Sequence, residues 1–191
     1  MKTATTKRDD ILDSALTLFA ERGYDATTIP MIAKDANVGA GTIYRYFDNK
    51  EVLVNTLFQQ YVHVFITMLK EGYPADKSIR EQFHHLFQRM VRFTNEHDHA
   101  LYFLKTHNAA YFLDERSEEA FTELWSILRD FVEEGKKAKE IRDLPTMALI
   151  AIIFGSFLEL QQLIRSGDLK VDEALLCGVE DSCWDAVRHH S

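Results

Sequence analysis

Residues 38–51 read VGAGTIYRYFDNKE, and the fold turns on what this stretch is for. Two glycines stand two residues apart, Gly39 and Gly41, and Tyr44, Tyr46 and Phe47 follow them. A helix built only to fill a core would spread its apolar groups along one face and exclude glycine, which costs up to about 1 kcal/mol at each interior position. A short helix that must lie against another backbone has different needs. It wants bare residues in its first turn and amphipathic rings at its end.

Upstream of this stretch, Ile11, Leu12, Ala15, Leu16, Phe19 and Ala20 recur at helical spacing over 7–22, and Gly23 follows as a C-terminal cap signal. Thr27 or Thr28 is placed to cap a second helix with Pro30 in its first turn and Ile32, Ala33 and Ala36 on its buried face. Asn37 tolerates the left-handed backbone of a tight turn, so a third, short helix is predicted over about 40–47. Val38 and Ile43 would pin that helix from inside, with Phe47 at its end. Its outward positions are then Gly39, Ala40, Gly41, Thr42, Tyr44, Arg45 and Tyr46. None carries a carboxylate, as a helix facing densely negative duplex DNA requires. These three helices have the lengths and spacing of a helix-turn-helix module.

Downstream, Asp48 or Asn49 caps a fourth helix of about 50–71, whose stripe includes Leu53, Leu57, Phe58, Tyr61 and Phe65. Amphipathic helices follow over about 76–96, 100–107 and 117–139. An apolar helix opens at Asp143-Leu-Pro-Thr and closes at Ser166-Gly167, and a last one covers about 172–189. No alternating strand pattern and no repeat is visible, so the fold class expected is all-α with about nine helices. The predicted organisation is a flexible tail (1–6), a helix-turn-helix DNA-binding domain (7–50) and a ligand-binding and dimerisation domain (51–191). The fourth helix links the two parts.

The charge supports this division. The 191 residues carry a formal net charge of −8. Residues 1–50 balance seven basic groups (Lys2, Lys7, Arg8, Arg22, Lys34, Arg45, Lys50) against seven acidic ones, so the whole deficit lies beyond them. The N-terminus has no apolar signal-peptide core, and the apolar run 147–158 is shorter than the roughly 20 residues a bilayer needs. No membrane partner is expected, and a cytoplasmic location is. Cys177 and Cys183 fit neither a redox nor a zinc spacing and read as two reduced thiols. The histidines do not group as ligands: His84 and His85 diverge around a helix, and His97 and His99 flank Asp98 in a predicted loop. No metal and no cofactor is expected. No nucleophile elbow, phosphate loop or HExxH occurs, which argues against an enzyme.

The run from Gly23 to Leu53, GYDATTIPMIAKDANVGAGTIYRYFDNKEVL, resembles the N-terminal domain of the tetracycline-repressor (TetR) family. The likeness is dense over about thirty residues and weaker through the first helix. It departs at Asn37, where the family commonly has glycine, and at Ala40, where serine is common and a phosphate-binding hydroxyl is lost. The resemblance implies a homodimeric bacterial transcription regulator, by family default a repressor, that binds a palindromic operator in double-stranded DNA and is released by a small effector. Carried over by position, Thr28, Thr42, Tyr46 and Lys50 would touch phosphate, Tyr44 and Arg45 would approach base edges or flanking phosphates, with Arg45 the best candidate for direct reading, and Lys7 and Arg8 would reach backbone. Gly39, Ala40 and Gly41 complete the expected contact surface.

In the second part, dense aromatics offer an apolar or aromatic effector site. Phe58, Tyr61, Phe65, Phe87, Phe103, Phe121 and Trp125 are its candidate lining, and His107 and Tyr111 its polar neighbours. The apolar helix is hydrophobic all round and carries small residues at Ala148, Ala151 and Gly155. The resemblance implies that it pairs with its copy through Ala148, Ala151, Ile152, Gly155 and Leu158, joined by Leu176, Val179 and Trp184 of the last helix. The alternative is a helical dimer that binds a ligand or a protein and has weak or no specific affinity for DNA. The neutral first fifty residues and Ala40 favour it.

Overall fold

The computed structural model describes residues 6–108 and 110–190. Among the described residues nine helices follow one another: α1 (Lys7–Ala26), α2 (Ile29–Asp35), α3 (Ala40–Tyr44), α4 (Lys50–Lys70), α5 (Ile79–Glu96), α6 (Ala100–His107), α7 (Glu115–Lys137), α8 (Thr146–Ser166) and α9 (Glu173–Val187). The extended pairing described is one isolated antiparallel bridge, Ile141 with Arg188. The fold is all-α. Of the expected flexible tail, residues 1–5 lie outside the described residues. Thr6 is the N-cap of α1 and forms a capping box with Asp9, whose carboxyl is held below its usual range by hydrogen bonds from the Thr6 side chain and backbone.

Local chemistry sets the other boundaries in the same way. Asn49 Oδ1 accepts the Val52 amide at 2.8 Å to open α4, Ser78 and Glu81 form a reciprocal box for α5, and Asp172 Oδ1 accepts the Leu175 amide to open α9. Asp114 Oδ1 accepts the Ser117 amide at the start of α7. Left-handed backbone ends or bends the helices where the sequence provides it: Gly23 (φ 77°) kinks α1, Asn37 (φ 52°) makes the turn before α3, and Gly167 (φ 82°) closes α8.

Two compact units form, and they cut across the expected division at residue 50. One comprises the chain up to Thr67 together with Phe93–Thr122; the other comprises Met68–Arg92 and everything from Glu123 onward. In the first unit, Ile11, Phe19, Ile32, Ile43, Leu53, Phe58 and Phe103 are buried. Phe19 of α1 lies 6.2 Å from Phe103 of α6, so a helix from far along the chain packs into the module that holds α2 and α3.

In the second unit Phe83, Phe87, Phe131 and Phe157 form the core. Three residues at four-residue spacing on α5 converge on Glu180 of α9, a carboxylate 2% exposed. Arg80 Nη1 donates to it at 2.6 Å, His84 Nδ1 lies at 2.9 Å and Gln88 Nε2 donates at 3.1 Å. Burial alone would raise the Glu180 pKa; these three partners outweigh it and hold the group below its usual value. Gly135 of α7 is buried where helix and chain approach closely. A Cβ built there would lie 2.7 Å from Ile141 Cγ1 and 3.1 Å from Ile79 Cγ2.

The apolar run 147–158 is only part of α8, which continues to Ser166. Both α4 and α8, at 21 residues, are long and apolar enough to cross a membrane by length and composition, with mean hydropathies of 1.3 and 1.8. They differ in cover: the most apolar window of α4 is 61% buried and that of α8 only 28%. Leu149, Ile150, Phe157 and Leu160 of α8 pack inward, whereas Met147, Ala148, Ala151 and Gly155 are exposed. Within one chain α8 is an apolar helix with a bare face.

Candidate nucleic-acid interface

The turn at Asn37 lets α3 project from a small core. The Val38 amide donates to Ala33 O at 2.9 Å, which pulls the chain back over the end of α2. Ile43 is fully buried and Phe47 is 3% exposed, so α3 is held by its inner face and by the turn that follows it. That turn continues the helix direction, with the Tyr46 and Phe47 amides both donating to Ile43 O at 2.9 Å. Val38, expected to pin α3 from inside, is half-buried.

On the outward side Gly39, Gly41, Tyr44, Arg45 and Tyr46 are exposed and Ala40 and Thr42 are half-buried. Tyr44 keeps 54% and Tyr46 46% of its surface in water, large values for aromatic side chains. Tyr44, Arg45 and Tyr46 are therefore all open to solvent at the end of α3 and in the turn that follows it. Thr28 is the exposed N-cap of α2, and its side chain makes no capping hydrogen bond. Lys7 is exposed, and the Arg8 guanidinium sits 5.5 Å from the Phe47 ring.

Lys50 is placed differently. Its Nζ donates to Tyr24 O at 2.9 Å and to Thr27 O at 3.0 Å, and lies 3.9 Å from the Tyr24 ring centroid. Two of its three N–H groups are committed to the corner between α1 and α2. Spacing could not reveal this, because the partners lie 23 and 26 residues away.

The residues expected to line an effector site fall in both units. Phe58, Tyr61, Phe65, Phe103 and His107 are buried in the first, Phe121 is half-buried there, and Tyr111 is 80% exposed. In the second unit Phe87 is buried and half-buried Trp125 stands 5.8 Å from Phe154. A cavity of about 20 Å³, lined almost wholly by apolar atoms, lies in the second unit. Phe83, Leu86, Phe87 and Met90 of α5, Leu128, Phe131 and Val132 of α7, and Ile150, Ile153 and Phe154 of α8 line it. Of the expected lining residues Phe87 is among them. Counting aromatics weights the whole core equally; the facing apolar stripes of α5, α7 and α8 were the signal that separates this place from the rest.

Of the expected pairing surface, Ala148, Ala151 and Gly155 are exposed, and Ile152, Leu158, Leu176, Val179 and Trp184 are half-buried. Around Gly155 an added Cβ would meet nothing within 4 Å, so this stretch of α8 is open. Among the described residues no group of three or more His, Cys, Asp or Glu could hold a metal ion.

Comparison with known proteins identifies the family. Residues 11–57 match the family model described as bacterial regulatory proteins, tetR family, and residues 58–189 match tetracyclin repressor-like, C-terminal domain. The chain is 35% identical over 81 residues to the biofilm operon icaADBC HTH-type negative transcriptional regulator IcaR of Staphylococcus epidermidis, a match covering 42% of this chain and 44% of that protein. It is 37% identical over 82 residues to the fatty acid metabolism regulator protein of Bacillus subtilis, covering 43% and 42%. The matches thus span less than half the length of these two relatives. Over nearly the whole fold it is similar to the crystal structure of the transcriptional regulator FadR from Bacillus subtilis in complex with stearoyl-CoA, with a TM-score of 0.71, 27% identity, and 92% and 95% of the two chains covered. With one family model on the reading module and another on the remaining helices, the chain belongs to the tetR family of bacterial regulatory proteins.

Proposed function

We propose that this chain is a homodimeric repressor of transcription that binds a palindromic operator through α3 and is released by an apolar effector. The observation that carries the reading is the outward surface of α3 and its two ends, where Thr42, Tyr44, Arg45 and Tyr46 accompany two glycines with no carboxylate among them. Hydroxyls and backbone amides there bond phosphate, and Arg45 is the group suited to a bidentate contact with guanine. Thr28 adds a phosphate contact at the start of α2, and Lys7 and Arg8 add charge at the start of α1. Such a protein works in the cytoplasm and performs no catalysis; the matched relatives are named as transcriptional regulators.

The bare face of α8 supports dimerisation. A helix this apolar is not left in water, and Ala148, Ala151 and Gly155 allow a second helix to approach closely. Its small residues, together with Glu159, Gln161 and Gln162, suit a protein partner better than lipid. Pairing of α8 and α9 with their copies gives a two-fold molecule, and a two-fold reader calls for half-sites about one DNA turn apart.

The effector is assigned to the cavity among α5, α7 and α8. Its lining accepts an apolar chain and offers no partner to a polar group. The structural relative solved with stearoyl-CoA supports a chain of that kind. At about 20 Å³ the cavity has room for about one water molecule, so an effector must spread the three helices to enter. The reading is tested by selecting duplexes from a random pool at low and moderate salt. Enrichment of an inverted repeat supports a regulator; salt-independent recovery of nothing would leave the ligand- or protein-binding dimer as the better description.

A further inference from the structure

The short segment 110–114, between α6 and α7, is more heavily anchored than a connection requires. Phe112 is 5% exposed, and its ring stacks on Tyr24 at 3.9 Å with planes 24° apart. Tyr24 follows the Gly23 kink, in the corner that leads from α1 into α2. Tyr111 reaches the same corner: its hydroxyl donates to Asp25 Oδ1 at 2.7 Å and its ring meets Tyr24 edge-on at 6.2 Å.

Behind the rings lies Asn55 of α4, 4% exposed. Its Nδ2 donates to Phe112 O at 2.7 Å and to Glu51 O at 3.0 Å, and its Oδ1 accepts the Asp114 amide at 2.9 Å and the Ser117 hydroxyl at 2.7 Å. All four bonding positions of a buried amide are filled, which fixes the segment in one place. Lys50 completes the arrangement from α4, tying Tyr24 O and Thr27 O to its own helix.

None of these residues lies on α3, yet together they fix the corner from which α2 and α3 depart. We propose that Phe112 and Lys50 are positioning residues for DNA binding, which hold the reading module in its binding orientation through Tyr24 rather than by touching DNA. Lys50 then acts as an internal strut, not a phosphate contact. This inference rests on the DNA-binding reading above. Rings alone would stabilise the fold; a fully bonded asparagine and an ammonium on two carbonyls also define direction, and direction is what α3 needs to enter a groove.

The test uses the full-length protein and the duplex that the wild type selects from a random pool. Binding is measured across a salt series for Phe112→Ala, Lys50→Met, their double variant, Tyr24→Phe and Tyr24→Ala. Phe93→Leu, which alters the buried Phe65–Phe93 stack elsewhere in the same unit, serves as the stability control. The expected result is a Kd about tenfold weaker for Phe112→Ala and Lys50→Met with the salt slope unchanged, and a double variant little weaker than either. Tyr24→Phe keeps affinity because the ring remains, Tyr24→Ala loses it, and Phe93→Leu lowers the melting temperature without changing Kd.

Three results would overturn the inference: folded Phe112→Ala binding as the wild type does, equal weakening by Phe93→Leu, or Lys50→Met flattening the salt slope by about one and multiplying with Phe112→Ala. If the wild type selects no duplex, the DNA-binding reading falls and this inference falls with it. If the wild type binds and Phe112→Ala makes no difference, only the positioning role is lost.

Discussion

At the scale of single residues, the same side-chain types do opposite work according to what lies behind them. Tyr44 and Tyr46 face water while Tyr61, seven per cent exposed, is part of the core. Arg45 is free of the structural ties that Arg80 and Lys50 carry, which is why it is the residue assigned to base reading. Arg45→Ala is expected to relax preference at one position of each half-site, at about 1–3 kcal/mol of discrimination, in a selection experiment. Unchanged preference would remove it from that role.

His107 gives a second outcome at this scale. It is 4% exposed, with its Nδ1 2.8 Å from Phe103 O, so Nδ1 carries the proton and donates. The rings of Phe19, Phe103 and Phe112 surround it. Burial pushes its pKa below the ordinary 6.5, against a smaller upward pull from the Phe103 carbonyl. Protons therefore bind the unfolded chain more readily. Its contribution to stability is complete above about pH 6.5 and declines as pH falls from there toward the folded pKa. His107→Gln is expected to flatten the fall in melting temperature as pH drops below about 6.5; an unchanged pH profile would show that His107 titrates alike in both states.

At the scale of elements, close approach matters more than propensity. Gly135 looks on paper like a poor choice inside the last turn of a long helix, yet Ile141 and Ile79 occupy the space a side chain would need. Gly135→Ala should therefore destabilise the protein by about 1–3 kcal/mol despite the better helix former, seen as a lower denaturation midpoint. A stabilised variant would mean that Ile141 can move aside. The helices themselves were legible because their signals are local. Thr28, Pro30, Asn37, Asn49, Ser166-Gly167 and Asp172 mark ends within a few residues of where they occur, and the stripe of α4 predicts its buried face. Gly135, Lys50 and the cavity were not legible, because each is defined by residues brought together from distant parts of the chain. The helix α3 was visible because its oddities, two glycines and three aromatics, lie within one short segment.

At the scale of the whole molecule, the face of α8 is the feature that one chain does not explain. Its window of highest hydropathy is 28% buried, and at Gly155 nothing stands within 4 Å of an added Cβ. Gly155→Arg should leave the single chain folded while opposing a second copy. Sedimentation is expected to give a monomer, and affinity for a two-half-site duplex to fall by about a hundredfold or more as the second contact is lost. An intact dimer would place the pairing surface elsewhere. The proposed pairing through α8 and α9 and the proposed positioning by the segment 110–114 both rest on one claim, that α3 reads DNA. The most direct test is selection of duplexes from a random pool by the purified protein across a salt series. The account predicts an inverted repeat with half-sites about one helical turn apart, bound less tightly as salt rises. Recovery of no sequence, with retention indifferent to salt, would contradict it.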